Sequence, residues 1–390
     1  MGGLYWRLSA FYFFYFASLG ALVPYWSLYL RQRGFDAPVI GEFMAVLMGT
    51  KIVAPYVWGW IADHSGRRVA IVRLGAWLAA LAFTGVFVPG GRGWLLGVMA
   101  LFSFFWNASL PQFEATTLNH LGPRAQDYSR VRLWGSIGFI LTVAGLGGLL
   151  DRFSVGLLLP VLLGLFVAIG VSSLGVPEGE GALSLQADQP LRVLLRQRTV
   201  AALLLVCLLN QASHGPYYAF FTLYMEDQGY SRGLIGLLWA LGVVAEILVF
   251  LFIPRLLPRW GPRPLLLGSL VLTVVRWVLL GGFPALTAAV LLAQVLHAAS
   301  FGVYHAVAIH LIHRLFRGRN QGRGQALYSS LSFGVGGALG SLAAGQLWGV
   351  VGGHWAFFAA ALTSALAVGV AWWGVRPAPA PIGVPEGPGL

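Results

Sequence analysis

Long apolar stretches, separated by short charged or Pro/Gly-rich breaks, recur along the whole chain. Each stretch is about 20 residues long, which is enough for an α-helix to cross the hydrocarbon core of a bilayer. Runs of alternating polar and apolar residues, which are typical of membrane barrels, do not appear. The pattern predicts an all-α membrane protein with twelve transmembrane helices, over 7–30, 38–62, 69–89, 93–117, 129–150, 154–175, 199–225, 233–254, 264–283, 286–312, 324–348 and 353–374.

The longest polar connection lies between the sixth and seventh predicted helices. It reads "VPEGEGALSLQADQPLRVLLRQR" and divides the chain into two halves of six helices each. The pattern therefore predicts an N-terminal bundle over 1–175, a cytoplasmic linker over 176–198 and a C-terminal bundle over 199–375. The Pro/Gly-rich segment 376–390 is predicted to be a disordered tail.

The two halves resemble each other in sequence. "LYLRQRGFDAPVIG" (28–41) aligns with "LYMEDQGYSRGLIG" (223–236) at an offset of 195, and "LWGSIGF" (133–139) aligns with "LYSSLSF" (327–333) at an offset of 194. Parallel six-helix repeats, related by an axis along the membrane normal, are a transporter architecture. The first offset pairs Lys51, the only lysine of the chain, with Glu246. We expect these two residues to face each other across the interface of pseudo-symmetric bundles.

Composition supports the membrane assignment and excludes several other functions. Of the 390 residues, 58% are hydrophobic and only 10% are charged, which is too few charges to solvate the surface of a soluble domain of this size. The first apolar run is too long for a signal peptide. Cys207 is the only cysteine, which excludes an internal disulfide and a thiolate metal site. We expect no metal, no cofactor and no nucleic acid partner.

Arginine explains the net charge of +12 and orients the chain. With a cytoplasmic N-terminus, sixteen arginines outside the apolar runs lie on the inner side and five on the outer side, as the positive-inside rule requires. Both termini are therefore predicted to be cytoplasmic. The inner arginines include Arg317, Arg319 and Arg376, and the outer ones are Arg31, Arg33, Arg92, Arg152 and Arg232.

The segment "GWIADHSGRR" (59–68) carries a family resemblance. It resembles the G-x-x-x-D-x-x-G-R-R/K signature of the major facilitator superfamily in Gly59, Asp63, Gly66, Arg67 and Arg68. The resemblance implies a cytoplasmic gating loop in which the acid braces neighbouring helix ends. The local alternative is a tight basic turn at the membrane surface. In the second half, Pro258 stands where the counterpart of Asp63 would fall.

A closer resemblance covers nearly the whole chain. Segments such as "YSRVRLWGSIGF" and "QVLHAASFGVYH" look like the bacterial 3-phenylpropionic acid transporter family, which is related to lactose permease-type proton symporters. The resemblance implies uptake of an aromatic acid across the cytoplasmic (inner) membrane. Glu114 and Arg132 match the sugar-binding carboxylate and arginine of the lactose permease pattern, and Glu246, Arg276 and His297 match its coupling cluster. The departures from that pattern are Phe139 for a tryptophan, Gln294 for a lysine and Ser300 for the main proton-carrying glutamate.

Ionisable residues inside the predicted helices point to a site independently of the resemblance. A charge at the bilayer centre costs about 2.5–3.5 kcal/mol, so such residues face partners or a cavity. Lys51, Glu246, Arg276 and His297 count to the middle of their helices, whereas Glu114 and Arg132 count to similar depths near the cytoplasmic side. Three fixed cations against two acids leave one positive charge, which a monocarboxylate substrate would neutralise.

These counts lead to assigned roles. We predict that the substrate is bound by Lys51, Glu114, Arg132 and Arg276, and that proton coupling involves Glu246, His297 and Glu114. Rings such as those of Tyr217, Tyr218 and Trp239 could receive an apolar part of the substrate. The structural alternatives are a static Glu114–Arg132 ion pair, a Lys51 that reaches the membrane surface, and a His297 that is only a packing residue.

The sequence therefore predicts a secondary active transporter, a monomer that takes up a small organic carboxylate together with protons by alternating access. A sugar or nucleoside proton symporter is the second transporter hypothesis. A non-transporting carrier fold that serves as an assembly protein is the third. An enzyme is not expected, because the sequence has no nucleophile elbow, phosphate loop or His/Asp metal cluster.

Overall fold

The described part of the chain is almost entirely helical. The structure is a computed structural model, and it describes residues 2–178, 191–316 and 320–375. Within these ranges, twelve helices are long and apolar enough to cross a membrane. We name them α1 to α12, over Gly3–Gln32, Ala37–Ser65, Arg68–Phe87, Arg92–Arg124, Tyr128–Leu150, Val155–Leu174, Arg198–Asp227, Arg232–Trp260, Pro262–Gly282, Thr287–Leu315, Asn320–Val351 and Gly353–Gly374.

The predicted all-α fold of twelve spans in two pseudo-symmetric bundles is confirmed, α1–α6 forming one half and α7–α12 the other. The bundle boundaries themselves stay a prediction. In the predicted linker, a short helix covers Leu191–Leu195. Residues 179–190, the predicted tail 376–390, and Arg317, Arg319 and Arg376 lie outside the described residues.

The same capping chemistry begins equivalent helices in the two halves. The Asp36 carboxylate accepts a hydrogen bond from the backbone N–H of Val39 at the start of α2. At the start of α8, the Ser231 hydroxyl accepts one from Leu234. Each cap satisfies an N–H that the first helical turn leaves unpaired. Asp36 and Ser231 are 195 positions apart, so the sequence repeat is also a structural repeat.

An even number of spans brings the start of α1 and the end of α12 to one side of the bundle, which we call the terminal face. The opposite side is the distal face. Close to the distal face the two halves approach each other at glycines. A Cβ on Gly41 of α2 would lie 2.7 Å from the Ser341 carbonyl oxygen of α11, and one on Gly236 of α8 would lie 2.5 Å from the Val143 carbonyl oxygen of α5. These contacts are too short for any side chain, so glycine permits the backbone packing.

Three spans depart from regular α-helix near the middle of the bundle. In α7 the helix is interrupted at His214, between Arg198–Ser213 and Gly215–Asp227. Two further spans contain π-helical segments, Ala298–Val303 in α10 and Ser330–Gly336 in α11. Such segments widen the helix locally and occur frequently at functional sites.

Candidate functional site

A cavity of about 210 Å³ lies between the two halves, at the depth of the π-helical segments. Eight of its lining residues come from α1, α2 and α5, and nine come from α7, α8, α10 and α11. It therefore belongs to the interface rather than to either bundle. Phe301 and Phe333, one from each π-helical segment, line the cavity with ring centroids 6.2 Å apart.

The repeat of the sequence is visible in the cavity wall. Residues at the offsets of 195 and 194 meet there in pairs, which locates the cavity on the pseudo-twofold axis. Five pairs line it, namely Phe16 and Gln211, Val23 and Tyr218, Met48 and Val243, Lys51 and Glu246, and Phe139 and Phe333.

Lys51 projects from α2 into this cavity. Its Nζ lies 3.7 Å from Met48 Sδ and 6.0 Å from the centre of the Phe333 ring. Among the described residues it forms no ion pair. A cation–π contact compensates only part of the hydration that an ammonium loses. The predicted partner Glu246 lies in the same cavity wall without touching it, so the two charges are held apart.

Arg132 is the second cation of the cavity, and it stacks on an aromatic ring. Its guanidinium carbon lies 3.7 Å from the centre of the Phe16 ring and 5.8 Å from that of Tyr12. Glu114 lies in the same neighbourhood and accepts a hydrogen bond from Tyr128 at 3.3 Å. Within the described ranges Arg132 forms no ion pair with Glu114, so the static pair that the sequence left open is absent from this conformation.

Glu246 is connected to two buried basic groups of the C-terminal half. Its Oε2 lies 3.5 Å from His297 Nε2, and His297 Nδ1 lies 3.0 Å from Arg276 Nη1. A guanidinium can only donate, so Nδ1 accepts and the proton of neutral His297 sits on Nε2, towards Glu246. Arg276 also donates to Ser300 Oγ and to the Ala293 carbonyl oxygen, both at 2.9 Å. His297 is therefore a link between Arg276 and Glu246 as well as a packing residue.

Two of the predicted substrate-binding residues do not reach the cavity surface. Arg276 is fully buried between the rings of Tyr217 and Trp277, 4.2 and 4.6 Å from their centres. Glu114 is likewise absent from the lining. Lys51 and Arg132 do line the cavity, and the substrate-binding role of all four residues stays a prediction.

Several lining residues were not among the predicted site residues. Met48, Gln211, Phe301 and Phe333 carry no charge to mark them, and Ser136 is a small polar residue of α5. Of these residues, only Phe333 could have been identified from the sequence, because the alignment of 133–139 with 327–333 pairs it with Phe139. Of the aromatic candidates, Tyr217, Tyr218 and Trp239 do line the cavity.

Charged side chains close the distal face over this cavity. Arg31, at the end of α1, pairs with Glu226 and with Asp227 at the end of α7. Arg232 of α8 pairs with Glu226 at 2.7 Å and donates to the Leu150 carbonyl oxygen at 2.9 Å. Asp151 accepts from the backbone N–H groups of residues 232 and 233 at 2.7 and 2.9 Å. Within the described ranges, every ion pair that joins the two halves belongs to this network.

The predicted gating loop lies on the terminal face. Gly66 ends α2 with a positive φ of 67°, and Arg68 begins α3. Asp63 pairs with Arg68 at 2.9 Å, inside the same loop. The Glu178 carboxylate, which follows α6, accepts hydrogen bonds from the N–H groups of Val69 and Ala70 at 2.8 and 3.2 Å. The gating role of Gly59, Asp63, Gly66, Arg67 and Arg68 stays a prediction, and the contact of Glu178 was not predicted.

Comparison with known proteins gives consistent results. The model of a family described as "MFS_1 like family" matches residues 5–359. The chain is 32% identical over 372 residues to the "Probable 3-phenylpropionic acid transporter" of Escherichia coli (strain K12), which covers 92% of this chain and 94% of that protein. It is 28% identical over 342 residues to the "Maltose permease" of Geobacillus stearothermophilus, which covers 86% of each.

A solved structure has the same fold. A mutant of the nucleoside transporter NupG superposes with a TM-score of 0.85 over 96% of this chain and 100% of that one, at 17% sequence identity. The likeness extends over all twelve spans and both halves.

Proposed function

This chain belongs to the MFS_1-like family of secondary transporters, and we propose that it takes up a small organic monocarboxylate, such as an aromatic acid, together with a proton. As a member of that family it is a multi-pass membrane transporter and not an enzyme. The observation that carries the proposal is Lys51, which projects into the cavity between the halves and forms no ion pair with any described residue.

The charge balance of the cavity supports a carboxylate substrate. Lys51 and Arg132 contribute two positive charges to the lining, and Glu246 contributes one negative charge when it is ionised. One carboxylate neutralises the remaining positive charge. Desolvated charges without a partner are costly, so an anion that pairs with Lys51 gains more here than in water. Arg132 offers a planar fork of donors to the same group.

The cavity size and its aromatic wall support a ring-bearing substrate. A volume of about 210 Å³ is below the roughly 300–1,000 Å³ of sites for drug-sized ligands. The rings of Tyr217, Tyr218 and Trp239 form one wall. The relative that is 32% identical is named for 3-phenylpropionic acid, which combines one ring with one carboxylate.

The distribution of arginines supports an assignment of the two faces. With the terminal face cytoplasmic, the positive-inside rule is satisfied. The distal face, closed by Arg31, Glu226 and Arg232, is then the outer face. In this assignment, uptake requires the distal network to open during an alternating-access cycle.

Glu246 is our proposed carrier of the coupled proton. Ionised Glu246 accepts the His297 Nε2–H and attracts Lys51 and Arg132, whereas protonated Glu246 leaves both cations to the substrate. Proton and carboxylate therefore favour each other's binding, which is the coupling that symport needs. Arg276 holds His297 in the required tautomer.

The experiment is uptake of radiolabelled 3-phenylpropionate into proteoliposomes, with and without an inward proton gradient. We expect accumulation above equilibrium only with the gradient, and its collapse when a protonophore is added. Equal uptake under both conditions would contradict proton coupling, and no uptake by protein that is folded by thermal shift would contradict the substrate class.

A polyhydroxylated neutral substrate is the second candidate, because a relative at 28% identity is named as a maltose permease. Glu246, Gln211 and Ser136 would accept hydroxyl hydrogen bonds from it in the cavity. Sugars and nucleosides, tested as competitors of 3-phenylpropionate uptake, distinguish the two. Competition by the neutral compounds and none by the carboxylates would favour this candidate.

A further inference from the structure

His305 lies on the terminal side of the cavity and has no part in the site described above. It stacks on Phe301 of the same helix with ring centroids 5.6 Å apart and an angle of 5° between the planes. Phe301 stacks in turn on His297, at 5.4 Å and 9°. The rings of His297, Phe301 and His305 therefore form a continuous column along α10, with a histidine at each end.

Glu246 of α8 packs between the two ends of this column. A Cβ on Gly302 would lie 3.4 Å from Glu246 Cγ, so the absence of a side chain at Gly302 makes room for the glutamate. Gly302 follows His297 by five residues and precedes His305 by three. At about 1.5 Å rise per helical residue, the glutamate is flanked by a histidine on each side along the membrane normal.

One tautomer of His305 leaves a ring nitrogen available as an acceptor. Its Nδ1 lies 2.7 Å from the Tyr328 Oη of α11. When Nδ1–H donates to this oxygen, the lone pair of Nε2 is free. His297 is the opposite case, because Arg276 occupies its Nδ1 and its Nε2 already carries the proton.

We propose that His305 is the group that takes the coupled proton from Glu246 and passes it towards the terminal face. This inference rests on the proposed proton symport and names its release path. In this structure the Glu246 carboxyl group lies against His297 Nε2 at 3.5 Å, so the transfer begins when the carboxyl group turns towards His305. The carboxylic acid O–H of Glu246 then breaks, the proton bonds to His305 Nε2, and the resulting imidazolium loses a proton to water on the terminal side. Glu246 is left ionised and returns to His297.

The surroundings of the transfer fix its direction. Groups of six elements face the Glu246–His305 region, namely Lys51 of α2, Arg132 of α5, Tyr217 and Tyr218 of α7, Arg276 of α9, His297 of α10 and Tyr328 of α11. Lys51, Arg132 and Arg276 are cations and the tyrosines are weak acids. Apart from His297 and His305, this set contains no base that accepts a proton near neutral pH. A third buried histidine, His214 of α7, packs against Tyr218 and Trp277, outside the column of His297, Phe301 and His305. Because Arg276 occupies His297 Nδ1, His305 is the remaining acceptor of that column.

His305→Phe tests the proposal, because phenylalanine keeps the stacked column and removes the acceptor. We expect proton-driven accumulation of 3-phenylpropionate to slow by about a hundredfold or more, in the range that a positioned acid–base group contributes, and its pH dependence to flatten. Exchange of internal for external substrate, which needs no proton release, is expected to continue. His313→Phe, an exposed position of the same helix, is the matched control.

Each outcome bears on the inference. Wild-type accumulation rates and an unchanged pH profile in His305→Phe would overturn it. Loss of exchange together with loss of substrate binding, measured by calorimetry, would also overturn it and assign His305 to the binding site. If the wild-type protein exchanges substrate but never responds to a proton gradient, the proposed symport itself fails, and the release path falls with it.

Discussion

In two pairs of oppositely charged residues, the members of each pair occupy equivalent positions in the two halves. One pair is in contact and the other is not. Arg31 and Glu226 are 195 positions apart and form an ion pair at the distal face. Lys51 and Glu246 are also 195 positions apart, yet a cavity separates them. The same symmetry thus produces one pair that closes the interface and one pair that is left open to a third group.

The difference follows from what surrounds each pair. The distal pair is partly exposed, with 38% and 21% of the two side chains accessible, and it is extended by Asp227 and Arg232. Pairs in such surroundings contribute about 0–1 kcal/mol each and are screened by salt. They can open and close during a transport cycle. The central charges are enclosed by aromatic side chains, so a substrate that satisfies them is bound more strongly than in water.

The largest expected effect comes from preventing the closure of the distal pair. In Gly236→Val, the added side chain overlaps the Val143 carbonyl oxygen, which is 2.5 Å from a Cβ at this position. We expect the distal face to stay open and proteoliposome uptake to be lost. Gly145→Val is the matched control, since a Cβ there meets no atom within 4 Å. Normal uptake by Gly236→Val would show that transport does not need the close packing of α8 against α5 at this position.

The next effect concerns the open pair. Glu246→Gln removes the carboxylate of the pair and keeps its size. We expect the variant to exchange 3-phenylpropionate across the membrane and to lose its response to an inward proton gradient at every pH, because no group carries the coupled proton. Exchange and gradient-driven uptake are measured in the same proteoliposomes. Glu42→Gln, a carboxylate that pairs with Arg92 inside the N-terminal half, is the control. Uphill uptake by the Glu246 variant would remove this residue from the coupling.

The smallest effect comes from weakening the closed pair. Arg31→Ala deletes two ion pairs between the halves, each worth about 0–1 kcal/mol, so we expect the distal face to open a few-fold more often. A cysteine introduced at Leu28, which is 3% exposed beside the network, reports opening by its alkylation rate in a Cys207→Ala background. Arg33→Ala is the matched control, because within the described part of the chain Arg33 donates hydrogen bonds to Tyr29 and Gly90 of its own half. An identical alkylation rate in both variants would contradict the gating role.

The spans and the repeat could be predicted from the sequence because both depend on local composition. Apolar length alone located the twelve helices, and the offset of 195 correctly put Lys51 and Glu246 at one interface. Asp36 and Ser231 cap equivalent helices for the same reason. These features need no knowledge of how the helices pack.

The membership of the site could be predicted only in part, because counting along a helix gives depth and not direction. Lys51 and Arg276 count to similar depths, but Lys51 faces the cavity and Arg276 is buried behind Tyr217. The π-helical segments of α10 and α11 lie at the depth of the cavity and change which residues of these helices face it. The regular α-helical spacing of residues therefore does not identify Phe301 or Phe333 as lining residues. Glu178 contacts α3 only through the fold of the whole N-terminal half.

The most direct test of Lys51 as the carboxylate-binding group is a comparison of two ligands, 3-phenylpropionate and its neutral amide. Their affinities for the wild-type protein and for Lys51→Met are measured by calorimetry in detergent. Loss of one partner of a buried charge pair costs about 2 kcal/mol or more, which is about 30-fold in affinity. We predict that the wild-type protein prefers the acid by at least that factor, that Lys51→Met binds acid and amide equally weakly, and that Lys51→Arg retains a preference for the acid. If Lys51→Met binds the acid as tightly as the wild-type protein does, the open pair on the axis is not the carboxylate site.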